Sequence, residues 1–487
     1  MKRIVEWGLL LIITGTVLAF GGVQSPAYTA MEVAVYLLAL VVIVRQTLRG
    51  KIDLPIPFWI VPFLCLVLLQ RIPLPGRVVS SLSPHRLIPG VQAALGLGPA
   101  HWATLSIYPH DTLLGFFKLL AYLGAFVLAA YSFQAGEGKN VLIPGLIILG
   151  ALEAAYGMVQ YLTGYQKIFG FTKQFYTDDA TGTYINHNHF AGFLELVIPF
   201  VAMMIFYNLQ LRSAKGVREG RPSPGGRNPS SSPPPILFYV FLVILLLLAV
   251  AFSRSRMGIF SVLTSLILMA FLGRLGGGRR AWTIITFVVI ACSLTYVVWI
   301  GIDPIISRFE ALAPTALENP AGRVVVWKQA SGIIRDYPAV GTGLGTFVVA
   351  FRRYQTTALE LLMDHAHNDY LELASDTGIL GAALLFIPII VLLFKMIRAY
   401  LKAHNRYRRS VLLACIGGSA ALLIHSIADF NLQIPANALL FAVVLGIGSQ
   451  ATHPTSASRG TRKEDIQTEG WATSGDGSAG GWDAGNA

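Results

Sequence analysis

Stretches such as Ile236–Phe252 and Ala281–Ile302 carry no acidic or basic side chain. Each is close to the roughly 20 residues that a helix needs to cross a bilayer core. Repeated along a chain that is 54% hydrophobic and only 13% charged, such runs leave one broad class, an all-α polytopic membrane protein. Twelve spans fit: 7–22, 30–47, 54–70, 112–134, 141–163, 190–211, 236–252, 257–273, 281–303, 378–399, 410–428 and 434–450. Met1-Lys2-Arg3 and the run behind it resemble a cleavable leader, but so many further spans follow that the run is taken as the first of them.

The net charge of +12 does not point to nucleic acid, because the basic residues cluster in short loops between apolar spans. Most of the 37 Lys and Arg fall at the N-terminus, in the even-numbered loops and in the tail, which makes that side cytoplasmic by the positive-inside rule. Both termini are then cytoplasmic and the odd-numbered loops face outward. Cys65, Cys292 and Cys415 lie inside apolar segments, where cysteine behaves as a small hydrophobe. They suggest neither a disulfide framework nor a metal site.

Four blocks result: spans one to nine over 1–303, an outer loop over 304–377, spans ten to twelve over 378–450, and a tail over 451–487. Within the first, 212–235 is rich in Pro, Gly and Ser and reads as a flexible cytoplasmic linker. The tail is Gly-, Ser- and Thr-rich without apolar periodicity and is expected to be disordered. The outer loop between the ninth and tenth spans holds a helix-like run, Arg323–Arg335, in which Val324, Trp327 and Ile334 share a predicted face. A loop of that length with its own apolar pattern is a folded cap rather than a tether, so function is expected on the outer side.

Asp364-His365-Ala366-His367-Asn368-Asp369-Tyr370-Leu371-Glu372 packs two imidazoles, an amide and three carboxylates before the tenth span. His365 and His367 are two apart, which does not suit a helical metal pair, and no metal or other cofactor is expected. One imidazole can serve as a general base, since it titrates near neutrality, with Asp364 or Asp369 orienting it. The structural alternative is a helix cap, with Asp364 or Asn368 accepting backbone N–H bonds. Ser253-Arg254-Ser255-Arg256 puts two arginines in a short outer turn, where positive charge is otherwise avoided. Either they snorkel to lipid headgroups or their guanidinium forks bind an anion. Arg323 opens the helix-like run and, converging with them, would suit a diphosphate. Asn186-His187-Asn188-His189 precedes the sixth span, as an interfacial cap or as donors and acceptors for sugar hydroxyls. His425 and Asp429, four apart, are placed on one helical face, either bracing helices or relaying protons.

His367-Asn368, with Gly378 and Gly381 at their spacing, resembles the histidine motif of the bacterial O-antigen ligase superfamily, which includes O-antigen polymerases and protein O-oligosaccharyltransferases. Phe20-Gly21-Gly22, Leu105-Ser106-Ile107-Tyr108-Pro109, Asn186-His187-Asn188-His189, Ser253-Arg254-Ser255-Arg256, Gly322-Arg323 with Trp327, and Asp429-Phe430-Asn431-Leu432-Gln433-Ile434-Pro435 also resemble that family in its usual order, from about residue 7 to 450. The resemblance implies a metal-independent glycosyltransferase of the bacterial inner membrane. Its donor would be a glycan on undecaprenyl diphosphate and its acceptor a hydroxyl at the periplasmic face, on lipid A–core for a ligase or on a growing glycan for a polymerase. It also implies that His367 is the base and that Arg254 or Arg256, with Arg323, binds the donor diphosphate, with Asp364, His365, Asn368, Asp429 and the 186–189 cluster in support. The rival from another class is a small-anion, bicarbonate-like transporter with His425 and Asp429 as its coupling site; the absence of a clear internal repeat and the substantial outer loops favour the enzyme.

Overall fold

A computed structural model describes residues 1–86, 102–134, 136, 140–218, 236–275, 323–356 and 363–453. Over these the chain is mostly helical. The apolar helices are α1 (Lys2–Leu18), α2 (Ser25–Thr47), α3 (Val61–Arg71), α5 (Pro109–Ser132), α6 (Leu142–Thr163), α7 (His187–Arg218), α8 (Ile236–Phe252), α9 (Arg256–Leu275), α12 (Asp369–Lys402), α13 (Arg406–His425) and α14 (Pro435–Ala451). Shorter helices are α4 (Gly76–Leu82), α10 (Arg323–Asp336) and α11 (Phe347–Phe351). Seven of the described helices are long and apolar enough to cross a membrane, and three shorter apolar ones accompany them. The expected ninth span, 281–303, lies outside the described residues, as do most of the 212–235 linker, residues 304–322 and the tail beyond 453.

Local chemistry sets where these helices begin. Proline occupies the first turn of α2, α3, α5 and α14, where its missing N–H costs nothing and its fixed φ already suits a helix. Asn368 caps α12 by accepting from the amides of Tyr370 and Leu371, and Asn405 caps α13 by accepting from Arg408. Gly164 ends α6 in the left-handed conformation, a common stop signal.

Burial sorts the helices into a centre and a rim. In α7 the apolar window is 83% buried and in α13 78%, against 22% in α2, so α7 and α13 form the axis while α2 offers its surface to lipid. α13 packs on α7, α9, α12 and α14, and α14 packs on α5. Polar segments join the ends of α6, α8 and α13 to the starts of α7, α9 and α14, and another leads into α12.

Two sequence expectations shift. Helix α12 starts at Asp369, not Gly378; Gly378 is a break within it, at φ 69° and ψ 177°. A Cβ on Gly378 would lie 2.3 Å from the carbonyl oxygen of Ala339, so the missing side chain lets the 338–343 segment cross against the helix, where Ile379 N–H donates to the Pro338 carbonyl. In α10 the buried residues are Val326, Ala330 and Ile333, while Val324 is exposed. The helix is real but its covered face is not the one containing Val324, because the face was settled by Tyr337, Phe347 and Phe351 packing against it.

Two short antiparallel strand pairs complete the polar end: β1 (Leu74–Pro75) pairs with β2 (Trp102–Ala103), and β3 (Lys167–Ile168) with β4 (Phe171–Thr172) in a tight hairpin. The Phe20-Gly21-Gly22 turn touches the hairpin, the Phe20 ring lying edge-on to Phe171 at 5.4 Å. Gly21, at φ 73°, leaves room for the Tyr184 ring, which a Cβ would meet at 2.8 Å.

Candidate functional site

The carboxylate of Asp429 is the hub of the polar end. It follows α13 in the turn to α14 and is fully buried. Its Oδ1 lies 3.7 Å from His367 Nδ1 and 3.7 Å from His189 Nε2, and its Oδ2 lies 3.5 Å from an Arg323 guanidinium nitrogen. These are ion-pair separations, longer than a hydrogen bond. Burial alone would push this carboxyl up, but His189, His367 and the nearby His425 hold it well below the ordinary carboxylate range. Beside it, Phe430 packs against three imidazoles: His365 stacked at 4.2 Å, His189 edge-on at 4.6 Å and His367 edge-on at 4.9 Å.

The stretch 364–372 is threaded onto this hub from α10 and α12. Trp327 Nε1–H donates to the Ala366 carbonyl at 3.0 Å, and Ala366 N–H donates to Glu372 at 2.9 Å. Asp369 N–H points to the carbonyls of Ser426 and Asp429, while its own carboxylate accepts from Leu432 N–H. Held at both ends, His367 takes φ 51°, a left-handed conformation that costs a branched or bulky residue of order 1–3 kcal/mol. Its imidazole stays 31% exposed, facing Asp429 with one nitrogen.

His365 does something else. Its Nδ1 is 2.8 Å from Glu372. Burial opposes its charge, but Glu372, then Asp369 and Asp364, outweigh that and raise its pKa above the ordinary histidine value. Asp364 itself is exposed and contributes through its charge. Asn368 is a helix cap, the structural alternative weighed for it.

A second cluster forms around Asp179, which the sequence reading did not single out. His187 Nδ1 lies 2.9 Å from its Oδ2, and an Arg254 guanidinium nitrogen lies 3.6 Å from its Oδ1. Tyr176 stacks on His187 at 4.3 Å. Burial, then Asp429, raises the pKa of Tyr176, with Arg323 opposing and Asp179 adding to the rise. Ala180 N–H donates to the Phe252 carbonyl, tying this loop to the end of α8. The only local hint of Asp179 in the sequence is an adjacent pair of acids in a chain with 25 in all.

The turn 253–256 treats its arginines differently. Ser255 caps α9, its hydroxyl accepting from Gly258 N–H at 3.2 Å, which leaves Arg254 at φ 55° and aimed at Asp179. Arg256 becomes the first residue of α9 and has no ion pair among the described residues. Arg254 thus joins the Asp179 cluster and Arg323 the Asp429 hub, while Arg256 pairs with neither carboxylate.

The 186–189 group also divides. α7 starts at His187, and the Asn186 side chain accepts from Asn188 N–H at 2.8 Å, so Asn186 caps the helix and Asn188 is buried behind it. His187 and His189 instead face the two carboxylates. His425 does not share a helical face with Asp429, because α13 ends at His425. It pairs with Glu195 of α7 at 3.2 Å, and Ser261 of α9 donates to the same carboxylate at 2.8 Å. That pair braces three helices, as one of the two readings of His425 expected, though through a different partner.

The arrangement is a helical bundle presenting an imidazole and two half-exposed guanidinium groups beside the buried Asp429 and the partly buried Asp179. Among the described residues, no three His, Cys, Asp or Glu side chains converge as a metal site. An imidazole and guanidinium forks held by carboxylates are groups that can deprotonate a hydroxyl and neutralise a departing anion. The Wzy_C family model, described as O-antigen ligase, matches residues 241–386, from α8 through the first half of α12. The resemblance to the O-antigen ligase superfamily therefore holds over that segment, and the match supports a membrane glycosyltransferase of ligase or polymerase type. No curated protein matches the chain.

Proposed function

We propose that this protein moves a glycan from undecaprenyl diphosphate to an acceptor hydroxyl at the periplasmic face of a bacterial inner membrane, as an O-antigen ligase acting on lipid A–core. The observation that carries this reading is Asp429, one buried carboxylate placed 3.7 Å from the candidate base His367 and 3.5 Å from the candidate anion-binding Arg323. In this reading both termini and the 212–235 linker are cytoplasmic, and the loop before α12 is periplasmic.

Asp429 orients His367 and stabilises the imidazolium that forms when the free nitrogen takes the acceptor proton. The acceptor oxygen bonds to the anomeric carbon as the bond from that carbon to the diphosphate oxygen breaks. Arg323 and Arg254 receive the negative charge that develops on the leaving diphosphate; planar forks suit its oxygens. A single displacement inverts the anomeric centre. His187, with Tyr176 stacked on it beside Arg254, supplies a donor and a ring face for the sugar, while the buried His189 braces Asp429.

Deleting the gene and examining the cell's glycans tests the reading. Loss of capped lipopolysaccharide with free polymer accumulating is the expected result. Capping with a single repeat would replace ligase by polymerase, and unchanged glycans with a lost anion flux would replace the enzyme by a transporter. In membranes supplied with lipid-linked donor, His367→Ala should abolish transfer; undiminished transfer would overturn the catalytic assignment.

A further inference from the structure

An inverting displacement on a sugar is served by two groups, a base at the incoming oxygen and an acid at the departing one. His367 fills the first role in the reaction proposed above, which leaves the departing diphosphate with guanidinium groups but no proton donor. The Asp179 cluster holds a group suited to that task. His187 Nδ1 lies 2.9 Å from Asp179 Oδ2 and also contacts the Ser253 carbonyl. Both partners are acceptors, so Nδ1 carries a proton in either charge state. The nitrogen that exchanges its proton is therefore Nε2, which has no hydrogen-bond partner among the described residues.

We infer that His187, as an imidazolium held by Asp179, donates its Nε2 proton to the diphosphate oxygen as that oxygen leaves the anomeric carbon. The inference rests on the proposed transfer reaction and adds a catalytic residue to it, with Asp179 as the positioning residue behind. In this step the acceptor oxygen gives its proton to His367 and bonds to the anomeric carbon. The electron pair of the breaking bond goes to the diphosphate oxygen, which takes the proton from His187. His187 is left neutral, with its remaining proton on Nδ1. It regains the other from water and His367 returns its own, so no net proton is gained or lost.

The surroundings of His187 fit this role. Arg254 shares the same carboxylate, a guanidinium nitrogen lying 3.6 Å from Oδ1, so an oxyanion bound at this fork lies beside the imidazole. Tyr176 stacks on the ring at 4.3 Å, and an aromatic face attracts a cation within about 6 Å. The start of α7 opposes positive charge at this position, which the carboxylate offsets. Asp179 is itself fixed: Lys173 Nζ donates to its carbonyl at 2.8 Å, and the next amide, Ala180 N–H, donates to the Phe252 carbonyl. His187 stays 17% exposed, open to proton exchange with water. The other paired imidazoles differ. His365 meets Glu372 at 2.8 Å, but among the described residues no guanidinium pairs with Glu372. His189 and His425 are buried.

The test uses the full-length protein in nanodiscs, with a polyprenyl-diphosphate-linked saccharide as donor and lipid A–core as acceptor. His187→Ala and His187→Gln are compared with the native chain, and thermal melting reports whether each is folded. Loss of a general acid costs about a hundredfold or more, and the fall should lie in kcat, with donor KM near native, in both variants. Added imidazole should restore part of the rate to His187→Ala, where it has room, and none to His187→Gln, whose amide fills the space. Measured against the native rate at each pH, the rescue should follow the concentration of imidazolium, because the missing group is a proton donor. Should the Ala variant fail to fold, the division between kcat and KM in His187→Gln decides. A rise in KM with kcat unchanged, a loss in folded His187→Ala that imidazole does not restore, or rescue that follows neutral imidazole would overturn the inference. Native protein that transfers nothing refutes the transfer reading and this assignment together, whereas native transfer with kcat undiminished in both variants refutes this assignment alone.

Discussion

Replacing Asp429 with Asn removes the charge at the hub while keeping the shape. Asp429 Oδ1 accepts from Phe430 N–H at 2.8 Å, a bond that an Asn oxygen can keep, so the turn into α14 should survive. What is lost is the field on His367, Nδ1 of which lies 3.7 Å away. Two unit charges near 4 Å interact by about 4 kcal/mol at an effective dielectric of about 20. His367 is 31% exposed, so screening leaves about half of that or more for the imidazolium formed as the acceptor hydroxyl loses its proton. At about 1.4 kcal/mol per decade, the transfer rate should fall by roughly thirtyfold to a thousandfold. The assay is glycan transfer in membranes with lipid-linked donor varied, normalised to protein by immunoblot. The fall should lie mostly in kcat, with a smaller rise in donor KM from the loosened Arg323. A variant within about threefold of the native rate, well short of one decade, would refute the role assigned to Asp429.

Arg254→Lys and Arg323→Lys keep charge but lose the fork, and each should cut transfer by about tenfold or more, whereas Arg256→Lys should stay near native; equal losses at all three would reject the division drawn from Asp179 and Asp429. Since His367 sits at φ 51°, His367→Asn should melt higher than His367→Ala in detergent, by about 1 kcal/mol, because Asn tolerates that conformation better, although both should be inactive. The raised pKa of His365 makes its pair with Glu372 a source of stability that is fully present below the unfolded value of about 6.5. That contribution is lost as pH rises through the higher folded value, so Glu372→Gln should destabilise strongly at pH 5 and much less in alkali, measured by thermal scans across pH.

Hydropathy, being a property of contiguous residues, made the apolar helices legible from the sequence: seven described helices are long and apolar enough to cross a membrane, while the expected 54–70 span is an α-helix only over Val61–Arg71. The polar anomalies were legible for the same reason, since 364–372, 253–256 and 186–189 stand out against a chain with few charges. Which members of each group face the site was not. Arg254 and Arg256 are chemically alike, and only the Ser255 cap, which puts one in the turn and the other in α9, separates them. His365 and His367 differ because Glu372 folds back one helical turn to claim the first and Asp429 arrives from beyond α13 to meet the second. Asp179, Glu195 and Phe430 gain their meaning solely from partners far away in the chain. Sequence alone determined that this chain is a helical membrane protein with its polar clusters gathered in a few segments between apolar runs, because burial of apolar runs in lipid is a local requirement. The pairing of imidazoles and guanidinium groups with carboxylates was decided only by tertiary packing, because a side chain's field and access depend on neighbours that local sequence does not specify.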